Sequence, residues 1–257
     1  MEKNENPTIK EFDYKTIANF FQGLERQGPG SDECTLKAIN YIPIFRSEVK
    51  MADLGCGTGH QTSILAKNTV GRIYALDLLP EMMEGLNRRI SEGGFEKQII
   101  PIQGAMDDLP FNYDSFDVIW AEGSIYNIGF EKGLRYWRDF LRTGGYVAVT
   151  ECCWISNNRP SDDKWIKDNL VEIDSIDSKV SIIKECGYRP VANFILPEDC
   201  WRENYYDHMK ARIQSFIEEN GSSHSTLSFV EMLKTEMDYY ETYHDYYGYV
   251  FFIAQKI

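Results

Sequence analysis

Short apolar runs alternate with amphipathic stretches through the first two thirds of the chain. Val49–Leu54 is one such run, stopped by Gly55-Cys56-Gly57-Thr58-Gly59, and His60–Lys67 beyond it reads as a helix. Arg72–Leu76 predicts a second strand ending at Asp77. Pro80 stands where a helix begins, with Met83, Leu86 and Ile90 on its inner face. Gln98–Gln103 predicts a third strand and Phe116–Ala121 a fourth. The helix after the fourth carries Leu134, Trp137 and Leu141 up to a stop at Gly144-Gly145, and Tyr146–Thr150 is the fifth strand. Strands separated by single helices make right-handed crossovers, which build a parallel sheet covered on both faces. A doubly wound α/β sheet is therefore expected.

The flanks follow a different rhythm. A polar N-terminal arm runs to the turn Gly28-Pro29-Gly30. Ser31 with Asp32 and Glu33 then makes a good helix start, with Leu36, Ile39 and Ile42 on one face. Downstream, Ile176, Val180 and Ile183 define a helix closed by Gly187, followed by strands at Arg189–Leu196 and Tyr249–Gln255. Between those strands Pro197–Tyr247 is mostly helical, polar and rich in tyrosine, an insertion of the kind that forms a lid or an oligomer contact. No internal repeat interrupts the series. The expected organisation is one domain over 1–257, with an arm or cap at 1–30, a core at 47–151 and the helical insertion at 197–247.

Composition narrows the function classes. A chain of 257 residues, 43% hydrophobic, can bury one large core. Its net charge of −13 repels a phosphate backbone, so nucleic acid and anionic membrane surfaces are poor partners. Met1–Lys10 is polar without an apolar targeting core, and no apolar run approaches the roughly 18 residues of a membrane span, so a cytoplasmic location is expected. Cys34, Cys56, Cys152, Cys153, Cys186 and Cys200 show no CxxC pair and no Cys/His spacing of a metal site. They read as reduced, mostly buried thiols, and no metal is expected.

The glycine loop carries the chemistry. Glycines at positions 55, 57 and 59 let the backbone turn sharply and approach a ligand closely at the C-terminal end of the first strand, where the next helix offers unpaired N–H groups. Asp77 closes the second strand beside that loop, placed to accept hydrogen bonds from two ribose hydroxyls. A dinucleotide fingerprint wants a third glycine or alanine where this chain has the bulky His60, which weakens a nicotinamide reading.

Ala52–Gly59 with Asp77, the run Gly104–Phe111, Ser115-Phe116-Asp117-Val118-Ile119 and Leu141–Tyr146 together resemble the class I S-adenosylmethionine-dependent methyltransferases, in particular their UbiE-like or type 11 group. The resemblance covers about residues 47–151. It implies a Rossmann-like sheet of about seven strands, mostly parallel, with a reversed C-terminal strand and a helical cap insertion. It also implies S-adenosyl-L-methionine as cofactor. By the same resemblance Gly55, Gly57 and Gly59 lie against the methionine and ribose portions, Asp77 clamps the ribose and Leu78 touches adenine. Asp53 helps to hold the loop or the amino group of the ligand, and Glu122–Ile125 flank the sulfonium. Ala105 stands where members often have an acidic residue against the adenine amino group, and either the backbone of Met106 or Asp107 takes over that contact.

Methyl transfer asks the protein to align an acceptor with the S–CH3 bond and to exclude water. Glu122 and Tyr126 follow the fourth strand at the ligand-binding end of the sheet, and are catalytic candidates or, equally, cofactor-loop or packing residues. His208, beside Tyr205 and Tyr206, is a candidate base or else a surface histidine. Trp154, Trp201 and the run Tyr239, Tyr240, Tyr243, Tyr246, Tyr247 line an aromatic acceptor pocket or, as the better reading at helical spacing, form a packing stripe. Phe12, Tyr14 and Phe20 of the arm fold over the cofactor or serve docking. The expected function is methyl transfer to a small-molecule acceptor. A non-catalytic S-adenosylmethionine- or S-adenosylhomocysteine-binding module, an NAD-type oxidoreductase, and a protein or nucleic-acid methyltransferase are the alternatives. The acceptor atom and the oligomeric state, a homodimer included, stay open.

Overall fold

Glu48–Leu54 (β1), Val70–Asp77 (β2), Ile99–Gln103 (β3), Phe116–Ala121 (β4) and Leu141–Trp154 (β5) run parallel in the computed structural model, which describes residues 8–43, 48–158 and 164–257. Two residues, Asp174–Ser175 (β6), pair beside the end of β5. Tyr188–Ile195 (β7) and Tyr247–Lys256 (β8) complete the sheet in the order β3-β2-β1-β4-β5-β8-β7, with β8 antiparallel to both neighbours. The expected Rossmann-like sheet with its reversed C-terminal strand is present, the short β6 making eight strands in place of seven.

Helices cover both faces. Asp13 caps α1 (Tyr14–Phe21), and Ser31 caps α2 (Asp32–Ile39) by accepting from the Cys34 N–H at 3.1 Å. After them come α3 (His60–Asn68), α4 (Pro80–Gly93), α5 (Phe130–Arg138), α6 (Lys164–Asn169) and α7 (Ile176–Glu185). The helical insertion supplies α8 (Asp207–Asn220) and α9 (His224–Tyr243). Alternation along the strands divides the core. Met51, Ile73, Val118, Trp120 and Ala148 face α1, α2, α4 and the insertion, while Ala52, Leu54, Ile119, Val147 and Val149 face α5 and α7.

Two boundaries differ from the pattern. Leu141 is the first residue of β5, paired with Phe116, and α5 ends at Arg138. Gly144-Gly145 marks a bulge inside that strand, where the register jumps from Phe116–Leu141 to Val118–Tyr146 and Gly144 has φ +81°. A buried leucine satisfies a helix stripe and a strand face alike, so periodicity alone misplaces it. Gln98 lies just outside β3, its side-chain amide donating to the Ala66 and Thr69 carbonyls at 2.9 Å each.

The N-terminal arm is held by the insertion. Phe12 meets Phe229 edge-on at 5.1 Å between ring centres, and Phe20 meets Phe216 at 5.2 Å and Phe229 at 5.6 Å. Arg212 of α8 donates to the Asn19 carbonyl at 3.2 Å. Just beyond the arm, Cys34 of α2 and Cys200 of the insertion bring their sulfurs to 3.7 Å. All six cysteines are buried and free. Among the described residues no helix is long and apolar enough to cross a membrane, and no group of three or more His, Cys, Asp and Glu side chains could hold a metal ion.

Candidate active site

The glycine loop leaves β1 over the end of β2. Gly55 and Cys56 both donate to the Leu76 carbonyl, at 2.8 and 3.0 Å. Gly55, Gly57 and Gly59 all take positive φ (72°, 56° and 81°), which strains any side chain. A Cβ on Gly55 would also come within 2.5 Å of the Ser124 Cβ and 2.9 Å of the Met106 Cε. The loop thus sits against the segment that follows β4.

Asp77 ties loop to strand. Its two carboxylate oxygens accept from the Gly57 N–H at 2.9 Å and the Leu79 N–H at 3.0 Å. Burial pushes its pKa up while these N–H groups pull it down. Each oxygen keeps a further lone pair for an incoming hydroxyl. Leu78, next to it, is half exposed, an apolar side chain standing free at the strand end.

Asp53 is fully buried. One oxygen accepts from the Thr62 hydroxyl at 2.6 Å and, at 3.5 Å, from Gln61, while Oδ1 has no partner. Burial pushes this carboxyl up to about 7, with the charges of Glu122 and Asp77 adding to the rise. An orphaned buried carboxylate oxygen behind a three-glycine cradle suits the ammonium end of an amino-acid ligand, and the pair Asp77 and Leu78 suits a ribose and its base. The residues present therefore fit S-adenosylmethionine.

Glu122 closes the other side. It accepts from the Thr35 hydroxyl and the Trp120 indole N–H at 2.8 Å each, and burial raises its pKa against the pull of Arg26, 3.6 Å away. These bonds make it a structural anchor for α2 as much as a group facing ligand. Tyr126 lies on the turn Ile125–Asn127 just after Ser124, its ring half exposed. Met106 reaches Gly55 through its terminal methyl, and its carbonyl accepts from Trp137 at 2.8 Å. Asp107 is exposed and paired with Lys132 at 3.2 Å, which leaves Met106 as the nearer of the two to the loop. His208 is not brought to this cluster. It stands exposed on α8 beside the buried Met209, because the helix turns 209 and 216 inward and 208 outward.

Several residues that close the site are invisible to motif reading. Gln27 accepts from the Thr58 N–H at 3.0 Å and donates to the Leu24 and Phe21 carbonyls, so the arm lies directly over Gly57. Arg26, buried, bridges Asp32 at 2.8 Å and Glu122. His60 contacts Asp32 of α2 at 2.7 Å and lies 3.3 Å from Glu25 of the arm, so the residue that breaks the dinucleotide fingerprint sits here against both, and burial lowers its pKa. The cleft remaining between Arg26, Gln27, the glycine loop and Glu122 holds about 50 Å³.

Residues 52–149 match the family model described as a methyltransferase domain. This segment is a methyltransferase domain. Over 104 residues the chain is 31% identical to methyltransferase GfsG of Streptomyces halstedii, covering 40% of this chain and 37% of that protein. Over 120 residues it is 29% identical to the demethylmenaquinone methyltransferase of Bacillus subtilis (strain 168), covering 46% of this chain and 49% of that one. The matches thus span less than half the length of either relative. The fold extends further. An S-adenosylmethionine-dependent methyltransferase of Geobacter sulfurreducens, solved with S-adenosyl-L-homocysteine, superposes with a TM-score of 0.79 over 95% of this chain and 99% of its own, at 16% identity. The methyltransferase domain contains the glycine loop, Asp77, Met106 and Glu122. Arg26, Gln27 and the whole insertion lie outside it.

Proposed function

We propose that this protein transfers a methyl group from S-adenosylmethionine to a small-molecule acceptor, as a cytoplasmic enzyme whose insertion (197–247) and arm, of which residues 8–30 are described and 1–7 lie outside the described residues, form the cap. The observation that carries this reading is the Asp77 carboxylate, bonded to Gly57 of the glycine loop within the matched domain, together with the orphaned Asp53 Oδ1 behind that loop.

S-adenosylmethionine supplies, when bound, a methyl group already activated on a sulfonium. The chain's own residues then bind, orient and exclude water. Asp77 would hold the ribose hydroxyls, Asp53 the ammonium end through its orphaned oxygen, and Leu78 would cover the base. Gly123 and Ser124 are fixed by hydrogen bonds to the Thr150 hydroxyl and the Leu54 carbonyl, both at 2.7 Å, so the edge of the acceptor space is rigid. Such pre-set positioning is the main source of rate where no covalent enzyme intermediate is needed. Gln27 occupies the space directly over Gly57 and the Thr58 N–H, so a ligand seated on the loop would displace the arm there.

Isothermal titration of the whole chain with S-adenosylhomocysteine, S-adenosylmethionine and NAD tests the reading. Micromolar binding of both S-adenosyl ligands is expected, weakened at least about tenfold (about 1.4 kcal/mol) by Asp77→Ala. Clear NAD binding without S-adenosyl binding overturns it in favour of an oxidoreductase.

A further inference from the structure

Beyond Glu122-Gly123 lies a second group of polar side chains, outside the residues assigned above to the cofactor. The path is continuous. Gly55 abuts Ser124, and a Cβ on Gly123 would lie 3.8 Å from the Tyr249 ring. Tyr249 meets Trp201 edge-on at 4.9 Å between ring centres, and Trp201 adjoins Tyr206 at 6.0 Å. The Tyr206 hydroxyl donates to Glu236 Oε1 at 3.2 Å. Tyr205 and Tyr206, both buried, are consecutive residues on a π-helical turn, Arg202–Tyr206, a local irregularity that often marks functional sites.

Glu236 is the anomaly in this group. Glu122 has Arg26 beside it, and Lys179 partly offsets the charge of Glu151, whereas no described basic residue acts on Glu236. Its hydroxyl partner is Tyr206, whose ring lies 5.2 Å from that of Tyr205, and the Glu236 charge acts on the phenols of Tyr126, Tyr205 and Tyr206 alike. Two further buried polar atoms in the neighbourhood lack hydrogen-bond partners, Trp201 Nε1 and Glu151 Oε2, and the Glu151 charge acts on the Tyr126 and Tyr249 hydroxyls. A carboxylate partly withdrawn from water without a counter-ion is costly, and one set beside aromatic side chains is an environment in which organic cations are held.

We propose that Tyr126, Tyr205, Tyr206, Tyr249 and Glu236 form the acceptor subsite and that it takes an amine, with Glu236 as counter-ion to the ammonium and acceptor of its proton. The inference rests on the methyltransferase reading and names its substrate class. The amine arrives as an ammonium. Glu236 takes one proton and frees the nitrogen lone pair. That pair would form the N–C bond to the methyl group S-adenosylmethionine supplies, the S–C bond breaking with its electrons left on sulfur, and Glu236 would pass its proton to water and again stand as carboxylate opposite the positively charged methylated nitrogen. Burial pushes the Glu236 carboxyl up to about 7, which matches a group that must accept and release a proton near neutrality.

The test uses the whole chain loaded with S-adenosylhomocysteine and titrated with tetramethylammonium chloride, with tert-butanol as an uncharged probe of similar shape. Tetramethylammonium is expected to bind and tert-butanol not to. Glu236→Gln should weaken the cation at least tenfold while leaving S-adenosylhomocysteine affinity within about twofold. Glu236→Asp should recover part of the loss, and unchanged S-adenosylhomocysteine binding certifies that each variant folds. Equal binding of cation and uncharged probe, or no effect of Glu236→Gln, overturns the amine subsite while leaving the methyltransferase reading intact. Failure of S-adenosylhomocysteine itself to bind overturns the reading beneath it, and the subsite with it.

Discussion

The side-chain oxygen of Gln27 accepts from both the backbone N–H and the hydroxyl of Thr58, at 3.0 and 3.2 Å, so the N-terminal arm borrows the donors of the glycine loop. Gln27→Ala removes those bonds and loosens the cover over Gly57. A loss of about 1 kcal/mol is expected, enough to raise the association rate of S-adenosylhomocysteine about fivefold in stopped-flow measurements. An unchanged rate would mean that the arm does not gate entry.

Gly55→Ala combines two penalties, a positive φ and a Cβ 2.5 Å from that of Ser124. The first costs about 1–2 kcal/mol and the second about 1–3 kcal/mol. Urea denaturation should show the sum, and titration should show S-adenosylhomocysteine binding lost. Wild-type behaviour in both measurements would contradict the close approach of loop and Ser124.

Phe20 is fully buried against Phe216 and Phe229. Phe20→Ala should cost about 3–5 kcal/mol if arm and insertion unfold with the core. Hydrogen exchange followed by mass spectrometry separates the outcomes. Faster exchange confined to 14–31 and 207–243 would show that the cap opens as a unit apart from the sheet.

Stability should fall as pH rises. Asp53, Glu151 and Glu236 are each pushed up to about 7 by burial, well above the ordinary carboxylate values of 3.8 and 4.5. The folded state therefore holds protons that the unfolded state has released. The associated stability is complete below about pH 4 and is lost as pH climbs through about 7. The melting temperature of the ligand-free protein should be higher at pH 5 than at pH 8, and Asp53→Asn should flatten the slope. A melting temperature that rises over this window would refute the assignment of these buried carboxyls.

The central sheet was legible because its first three strands are short apolar runs closed by Gly55, Asp77 and Gly104, and a doubly wound order follows from the alternation of strands with single helices. Asp77 and the three glycines were legible for the same reason, since residue type and local context coincide there. Leu141 was misplaced because a buried position has no period of its own. Arg26, Gln27 and Glu236 could not be read at all. Each lies in a polar stretch of ordinary composition, and each matters only through a partner far along the chain, Glu122, Thr58 and Tyr206. A late helix dense in tyrosine was the one available hint of Glu236. His208 illustrates the converse, a chemically attractive residue that helical phase turns to solvent.

The arm is fastened at both ends of the reaction space, to the loop through Gln27, with Glu25 3.3 Å from His60, and to the insertion through Gly30, whose N–H donates to the Cys200 carbonyl and whose own carbonyl accepts from Asn204. One hinge thereby serves two entrances. On the proposed reading, departure of spent S-adenosylhomocysteine would disturb the wall of the acceptor subsite, and an occupied subsite would brace the arm shut over the nucleoside. Under the proposed methyl transfer, turnover would follow a compulsory sequence, S-adenosylmethionine first and S-adenosylhomocysteine last, and excess acceptor would slow the cycle by trapping the spent complex.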